Sequence, residues 1–139
     1  MNKEQEIINF QTPREKIKYL IINKEYNNIN EINLNELDNL DFLFSFEDLN
    51  ESDFLNYKDE IPTINLNKWD VSKFNSMKGI FNKSFFNFNI SDWNTSNVIN
   101  MEAMFINAKN FNCDISNWDT SNVKTMENMF NGAILFNND

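Results

Sequence analysis

The sequence predicts a short repeat solenoid under an N-terminal helical cap. Three observations predict it: one pattern written three times between Ile64 and Phe136, a degraded fourth copy before it, and an amphipathic start of different character. The copies open at Leu66-Asn67-Lys68-Trp69, Ile90-Ser91-Asp92-Trp93 and Ile115-Ser116-Asn117-Trp118. From each Trp a Ser follows at +3 (Ser72, Ser96, Ser121), an apolar residue at +5 (Phe74, Val98, Val123) and Met at +8 (Met77, Met101, Met126). Another apolar residue stands at +11 (Ile80, Met104, Met129) and Phe at +12 (Phe81, Phe105, Phe130). All three Trp residues keep this register, 24 and then 25 residues apart. A unit of this length cannot bury its apolar side alone and must stack on its neighbours. The Trp, Met and Phe rows are therefore expected to be core ladders rather than a ligand box, with Trp69, Trp93 and Trp118 stacked and buried.

The segment Phe111-Asn112-Cys113-Asp114-Ile115-Ser116-Asn117-Trp118-Asp119-Thr120-Ser121-Asn122-Val123 resembles, almost letter for letter, the BspA-like leucine-rich-repeat variants. Units of that family read F-N-x-D-I-S-x-W-D-T-S-N-V-x-x-M-x-x-M-F. The resemblance implies an α/β repeat, a short right-handed leucine-rich-like solenoid with an N-terminal helical cap. It places a parallel strand around Ile-Ser-x-Trp and a helical turn around Val-x-x-Met-x-x-Met-Phe. It implies no reaction, because the known roles of that family are adhesion and protein binding.

The length of 139 residues suits a single domain, residues 1–139, large enough to bury a core without staples. Residues 3–27 are the expected helical cap. Thr12-Pro13-Arg14-Glu15 has the form of a capping box, Thr12 the N-cap, Pro13 the first helical residue and Glu15 returning to the Thr12 amide. Ile17, Leu20 and Ile21 then share one face, and Asn27-Asn28 is the expected stop. Residues 4–10 suit a short preceding helix presenting Ile7, Ile8 and Phe10. Residues 29–44 align with the repeats at a constant offset of 37, Ile32 standing for Trp69, Leu40 for Met77 and Phe44 for Phe81, a degenerate first repeat. Residues 45–62 are an acidic insertion, and residues 64–136 hold the three repeats, closed by Phe86, Phe111 and Phe136. Asn97 and Asn122 occupy equivalent places with Lys73 breaking the row, so that either a hydrogen-bonded Asn ladder or plain surface enrichment in Asn accounts for them.

Composition excludes most chemistry. One cysteine, Cys113, and no histidine rule out a disulfide framework, Cys/His zinc sites, catalytic triads and imidazole acid–base work. Cys113 is expected as a half-buried thiol in a strand region. Two glycines, Gly79 and Gly132, build no phosphate-cradling loop. Paired carboxylates such as Asp48 and Asp53 need a cleft to act as acid and base, and a calcium loop needs a glycine that the acidic run lacks. The expectation is therefore no enzyme, no metal and no cofactor. The first ten residues carry no secretory apolar run, and no stretch approaches the roughly 20 apolar residues of a membrane span. A cytoplasmic location follows as an expectation.

The formal charge is −9, and it is concentrated. Between residues 36 and 60 stand Glu36, Asp38, Asp41, Glu47, Asp48, Glu51, Asp53, Asp59 and Glu60 against the single base Lys58. Such a run repels nucleic acid and anionic membrane and attracts basic surfaces. The expected function is a non-enzymatic protein–protein interaction module that binds a basic partner surface through the acidic insertion or the concave face. The alternative is a small acidic inhibitor of a nucleic-acid-handling enzyme, of the anti-CRISPR or another phage-borne anti-defence type. The expected partner-binding residues are Phe46, Glu47, Asp48, Glu51, Asp53, Phe54, Tyr57, Asp59 and Glu60, acids to steer and aromatics to anchor. The fallback is the surface around Asp92, Asn94, Asn117 and Asp119. The final unit leaves Met129, Phe130 and Phe136 to be covered, by homodimerisation through the C-terminal end or by folding-back of Ile134 to Phe136.

Overall fold

The structure is a computed structural model that describes residues 8–47, 49 and 61–137. It corrects the expected leucine-rich-like α/β solenoid. Among the described residues there is one α-helix, α1 (Pro13–Ile22), two 3-10 helices (Tyr26–Glu31 and Leu34–Glu36) and two strands, β1 (Thr63–Asn65) and β2 (Asn87–Asn89). The strands pair in parallel, Ile64 opposite Phe88, as the two-stranded sheet. No strand forms at Ile90–Trp93 and no helical turn at Val98–Phe105; both stretches are turns and irregular backbone.

The physical reason lies in the backbone of the Met-x-x-Met-Phe stretch. Phe42, Gly79, Ala103 and Asn128, one in each stretch, have φ of 56°, 59°, 53° and 56°. Left-handed residues at these places cannot belong to a right-handed helix. The chain runs instead through consecutive turns, Met104 N–H to Met101 carbonyl at 3.3 Å and Ile106 N–H to Ala103 carbonyl at 3.2 Å. Alternate N–H groups are freed to point at the following stretch. Met77, Gly79, Phe81 and Lys83 donate to Asn100, Glu102, Met104 and Ile106 at 2.8–3.0 Å; Met101, Ala103, Phe105 and Asn107 donate to Thr125, Glu127, Met129 and Asn131 at 2.7–3.0 Å. Upstream, Leu40, Phe42 and Phe44 donate to Ser76, Lys78 and Ile80. These four rungs of turns lie over one another, joined by isolated parallel bridges Ser76–Asn100 and Asn100–Thr125.

Gly79 is required within this row because a Cβ there would run into the Phe42 ring, and its positive φ disfavours any side chain. Ala103 sits at the same place one rung on, with φ of 53°.

Side chains fill the space between rungs. The indoles of Trp69, Trp93 and Trp118 are buried and stack at 6.3 and 6.5 Å with planes 5° apart. Each indole N–H donates to a buried carbonyl: Trp69 to Ile29 at 3.2 Å, Trp93 to Leu66 at 2.9 Å, Trp118 to Ile90 at 3.1 Å. Beside them runs a phenylalanine column, Phe44, Phe81, Phe105 and Phe130, at 5.4, 5.5 and 5.4 Å. Phe88, Phe111 and Phe136 press against it from inside at 4.4, 3.9 and 4.3 Å. Phe88 thus takes the place expected of Phe86, which packs on Tyr26 at 5.5 Å.

Helix α1 forms where the capping signals stand. Thr12 Oγ1 accepts the Glu15 N–H at 3.1 Å, whereas the Glu15 carboxylate returns to the Gln11 amide at 2.8 Å rather than to that of Thr12. Its buried face is Ile17, Leu20 and Ile21, and it ends at Ile22, with Asn23 as C-cap, before the expected Asn27-Asn28 stop. Ile7 and most of the expected preceding helix lie outside the described residues. Phe10 packs on Tyr19 at 5.2 Å.

Candidate functional site

The acidic stretch departs from the rim of an apolar cavity of about 350 Å³. Ile21, Phe44, Phe46, Leu49, Phe85 and Phe86 give its apolar lining, and Lys83, Ser84, Asn107, Lys109 and Asn110 complete it. The walls are held by the rungs behind them. Lys83 carries φ of 57°, and its N–H is spent on the Ile106 carbonyl at 2.8 Å, so its side chain is set outward at the rim. Asn110 Nδ2 donates to the Phe85 carbonyl at 2.7 Å and fixes that loop, and the Phe85 and Phe86 rings meet edge to face at 5.6 Å.

Of the expected binding residues, Phe46 and Glu47 are placed here. Phe46 is buried, under the Arg14 guanidinium, which lies 4.8 Å from the ring centroid. It therefore lines the cavity and does not project as a free aromatic anchor. Glu47 is exposed and pairs with Lys83, Oε1 to Nζ at 3.5 Å, a contact that in solvent contributes little to stability. Asp48, Glu51, Asp53, Phe54, Tyr57, Asp59 and Glu60 lie outside the described residues. The reading of the residues missed Lys83, Phe85, Phe86 and Asn110. Their signal was the one-residue irregularity between Phe81 and Phe86, a spacing of five residues against six for Phe105–Phe111 and Phe130–Phe136.

The fallback surface is differently engaged. Asp119 accepts the Ser121 N–H at 2.9 Å and Asn94 accepts Ser96 N–H and Oγ at 3.1 and 2.6 Å, as Asp70 does for Ser72 at 3.1 and 2.5 Å. These are local turn locks. The hydrogen bonds from Ser72 and Ser121 hold the Asp70 and Asp119 carboxyls below the usual carboxylate range, and the Ser116 backbone does the same for Asp114. Asn97 and Asn122 reach back one rung to the Ser72 and Ser96 carbonyls at 2.7 and 2.6 Å, the ladder form of the two readings for this row. Burial pushes the Cys113 thiol up; it lies on irregular backbone rather than in a strand, beside the Ile90 N–H at 3.5 Å. Among the described residues no group of three or more His, Cys, Asp or Glu could hold a metal ion, and no helix is long and apolar enough to cross a membrane.

Fold and site together define a class: a protein of stacked turns with a continuous aromatic interior and an apolar cavity at the root of an acidic stretch. The chain belongs to the family described as "Mycoplasma protein of unknown function, DUF285", whose profile matches residues 49–139. No curated protein and no solved structure matches it.

Proposed function

We propose that the chain is a non-enzymatic protein-interaction module whose acidic stretch, residues 36–60, binds a partner with a basic surface. The observation that carries this reading is the coincidence of charge and cavity: nearly all the net charge lies in the stretch whose Phe46 and Leu49 line the apolar cavity. Charges steer an approaching partner and a desolvated apolar pocket holds it. The letter-for-letter likeness of Phe111–Val123 to the BspA-like variants, a group of adhesion and protein-binding chains, supports the same reading. The Trp row, with Met77, Met101, Phe81 and Phe105, is spent on the interior.

The test is a pull-down that identifies the partner, followed by surface plasmon resonance at two salt concentrations. The triple variant Asp48→Asn, Glu51→Gln, Asp53→Asn is expected to associate more slowly and with a flatter salt dependence. Phe85→Ala, at the cavity wall, is expected to raise the dissociation rate instead. A charge-neutralised protein that associates as fast as the wild type at low salt would overturn the assignment to the acidic stretch.

A further inference from the structure

The junction between the degenerate first repeat and the Trp69 repeat is closed differently from those that follow it. At the later junctions a carboxamide four residues after the Trp reaches back, Asn97 to the Ser72 carbonyl and Asn122 to the Ser96 carbonyl. Asn67 also accepts the Asp92 N–H on its Oδ1 at 3.0 Å. In the same register the first junction sets Lys73 against the Asn35 carbonyl and the Lys68 N–H against Asn30 Oδ1. Neither bond forms. Lys73 lies over the Phe74 ring, 4.8 Å from its centroid, and among the described residues nothing donates to the Asn35 carbonyl. Asn30 turns its Nδ2 to the Asn65 carbonyl at 2.9 Å, and its buried Oδ1 has no partner. The indole is missing too, since Ile32 stands in its place.

What the missing contacts leave is a cleft of about 340 Å³ between residues 30–35 and 68–73, within the range of about 300–1,000 Å³ usual for small-molecule sites. Its polar groups fall into two sets. Lys68 and Lys73 are exposed cations at its wall, and among the described residues no carboxylate pairs with either. Asn30, Asn35 and Asp70 bring oxygen acceptors to the same cleft, and Ile32, Leu34 and Trp69 give it an apolar lining.

We propose that this cleft binds a free α-amino acid with an apolar side chain. The ligand carboxylate meets the Lys68 and Lys73 ammonium groups in charge-assisted hydrogen bonds. Its own ammonium donates to the acceptor set, above all to the Asp70 carboxylate and the Asn35 carbonyl, and its side chain lies on Ile32 and Leu34. A ligand with one charge only leaves one set unmatched. An inorganic anion or a fatty acid faces Asp70 without a donor, and a plain amine faces two lysines. Polar groups of a site left unpaired in this way are what make it reject an analogue.

The probes are L-phenylalanine and L-leucine, titrated into the full chain by calorimetry while NMR follows the three indole N–H signals. Saturable binding of at least one is expected, with the Trp69 signal shifted and that of Trp118 unmoved. Phenethylamine, which lacks the carboxylate, and hydrocinnamate, which lacks the amine, are expected to bind L-phenylalanine's site about tenfold more weakly or worse. Lys68→Ala and Lys73→Asn, both at exposed positions, are each expected to weaken binding about tenfold with the indole signals of the folded chain kept. Lys73→Asn also supplies the carboxamide that closes the later junctions; if one variant fails to fold, the other decides. No saturable binding of either amino acid, equal binding of a singly charged analogue, tighter binding of inorganic phosphate, wild-type affinity in the folded lysine variants, or shifts centred away from Trp69 would each overturn the proposal. Failure here leaves the acidic stretch untouched, since none of residues 36–60 lines this cleft.

Discussion

Residues 98–107 and 123–132 share five of ten residues, the Val, Met, Glu, Met and Phe at matching places, and stand in two environments. In the inner copy Met101, Met104 and Phe105 are fully buried, while in the outer copy Met126 and Phe130 are exposed and only Met129 matches its counterpart. Both copies have the same turns and the same left-handed residue, Ala103 or Asn128. The same turn conformation thus occurs in both settings, and the neighbour decides how much that rung contributes. Burial free energy scales with area removed from water, which a rung acquires only when another lies over it.

The largest expected effect separates the copies directly. Phe105→Ala is expected to cost about 3–5 kcal/mol in urea unfolding, as a large-to-small change in a packed interior. Phe130→Ala should cost only about 1–2 kcal/mol, in proportion to its partial burial. Equal losses would mean that the outer rung is covered in solution. Trp93→Ala belongs with Phe105, because it removes a stacked indole and one of the two donors to the Leu66 carbonyl, which keeps the Trp69 N–H.

A smaller pair of changes tests the left-handed row. Gly79→Ala is expected to destabilise by roughly 1–3 kcal/mol, since a Cβ meets Phe42 and the backbone stays at positive φ. Ala103→Gly, at the same place one rung on, should be neutral or stabilise by up to about 1 kcal/mol, the relief of αL strain set against added freedom of the unfolded chain. Thermal unfolding of the two variants distinguishes them by sign.

The smallest effect is acidic. Asp70, Asp114 and Asp119 have carboxyls lowered from the ordinary 3.8 by hydrogen bonds from Ser72, Ser116 and Ser121. When the folded pKa lies below the unfolded one, the unfolded chain binds more protons as pH falls. The contribution is present above the unfolded value near 3.8 and is lost as pH drops through the lowered folded values. Asp119→Asn is expected to leave stability at pH 7 nearly unchanged and to shallow the decline below pH 4, as Asn94 already fills this role with a neutral amide. Urea midpoints measured between pH 2.5 and 7 check it.

The sequence alone determined the cap of α1 and its buried face, the registry of the three indoles, and the column of Phe44, Phe81, Phe105 and Phe130 beside them. These are consequences of spacing and side-chain chemistry, legible without a neighbour. Fixed Trp, Met and Phe offsets can all be buried together only if the copies lie over one another. Secondary structure was not legible in the same way. Met-x-x-Met-Phe has helical spacing, yet the left-handed residues at Phe42, Gly79, Ala103 and Asn128 turn the backbone so that its N–H groups bond across rungs, a gain that exists only once the next rung is in place. The exchange of Phe88 for Phe86 was likewise decided by the register Ile64–Phe88 that β1 and β2 impose. The cavity has the same origin. Ile21, Phe46, Phe85 and Asn110 lie far apart in the chain, and only the stacking of rungs against α1 brings them to one rim, because long-range packing is a property of surfaces that no single segment carries.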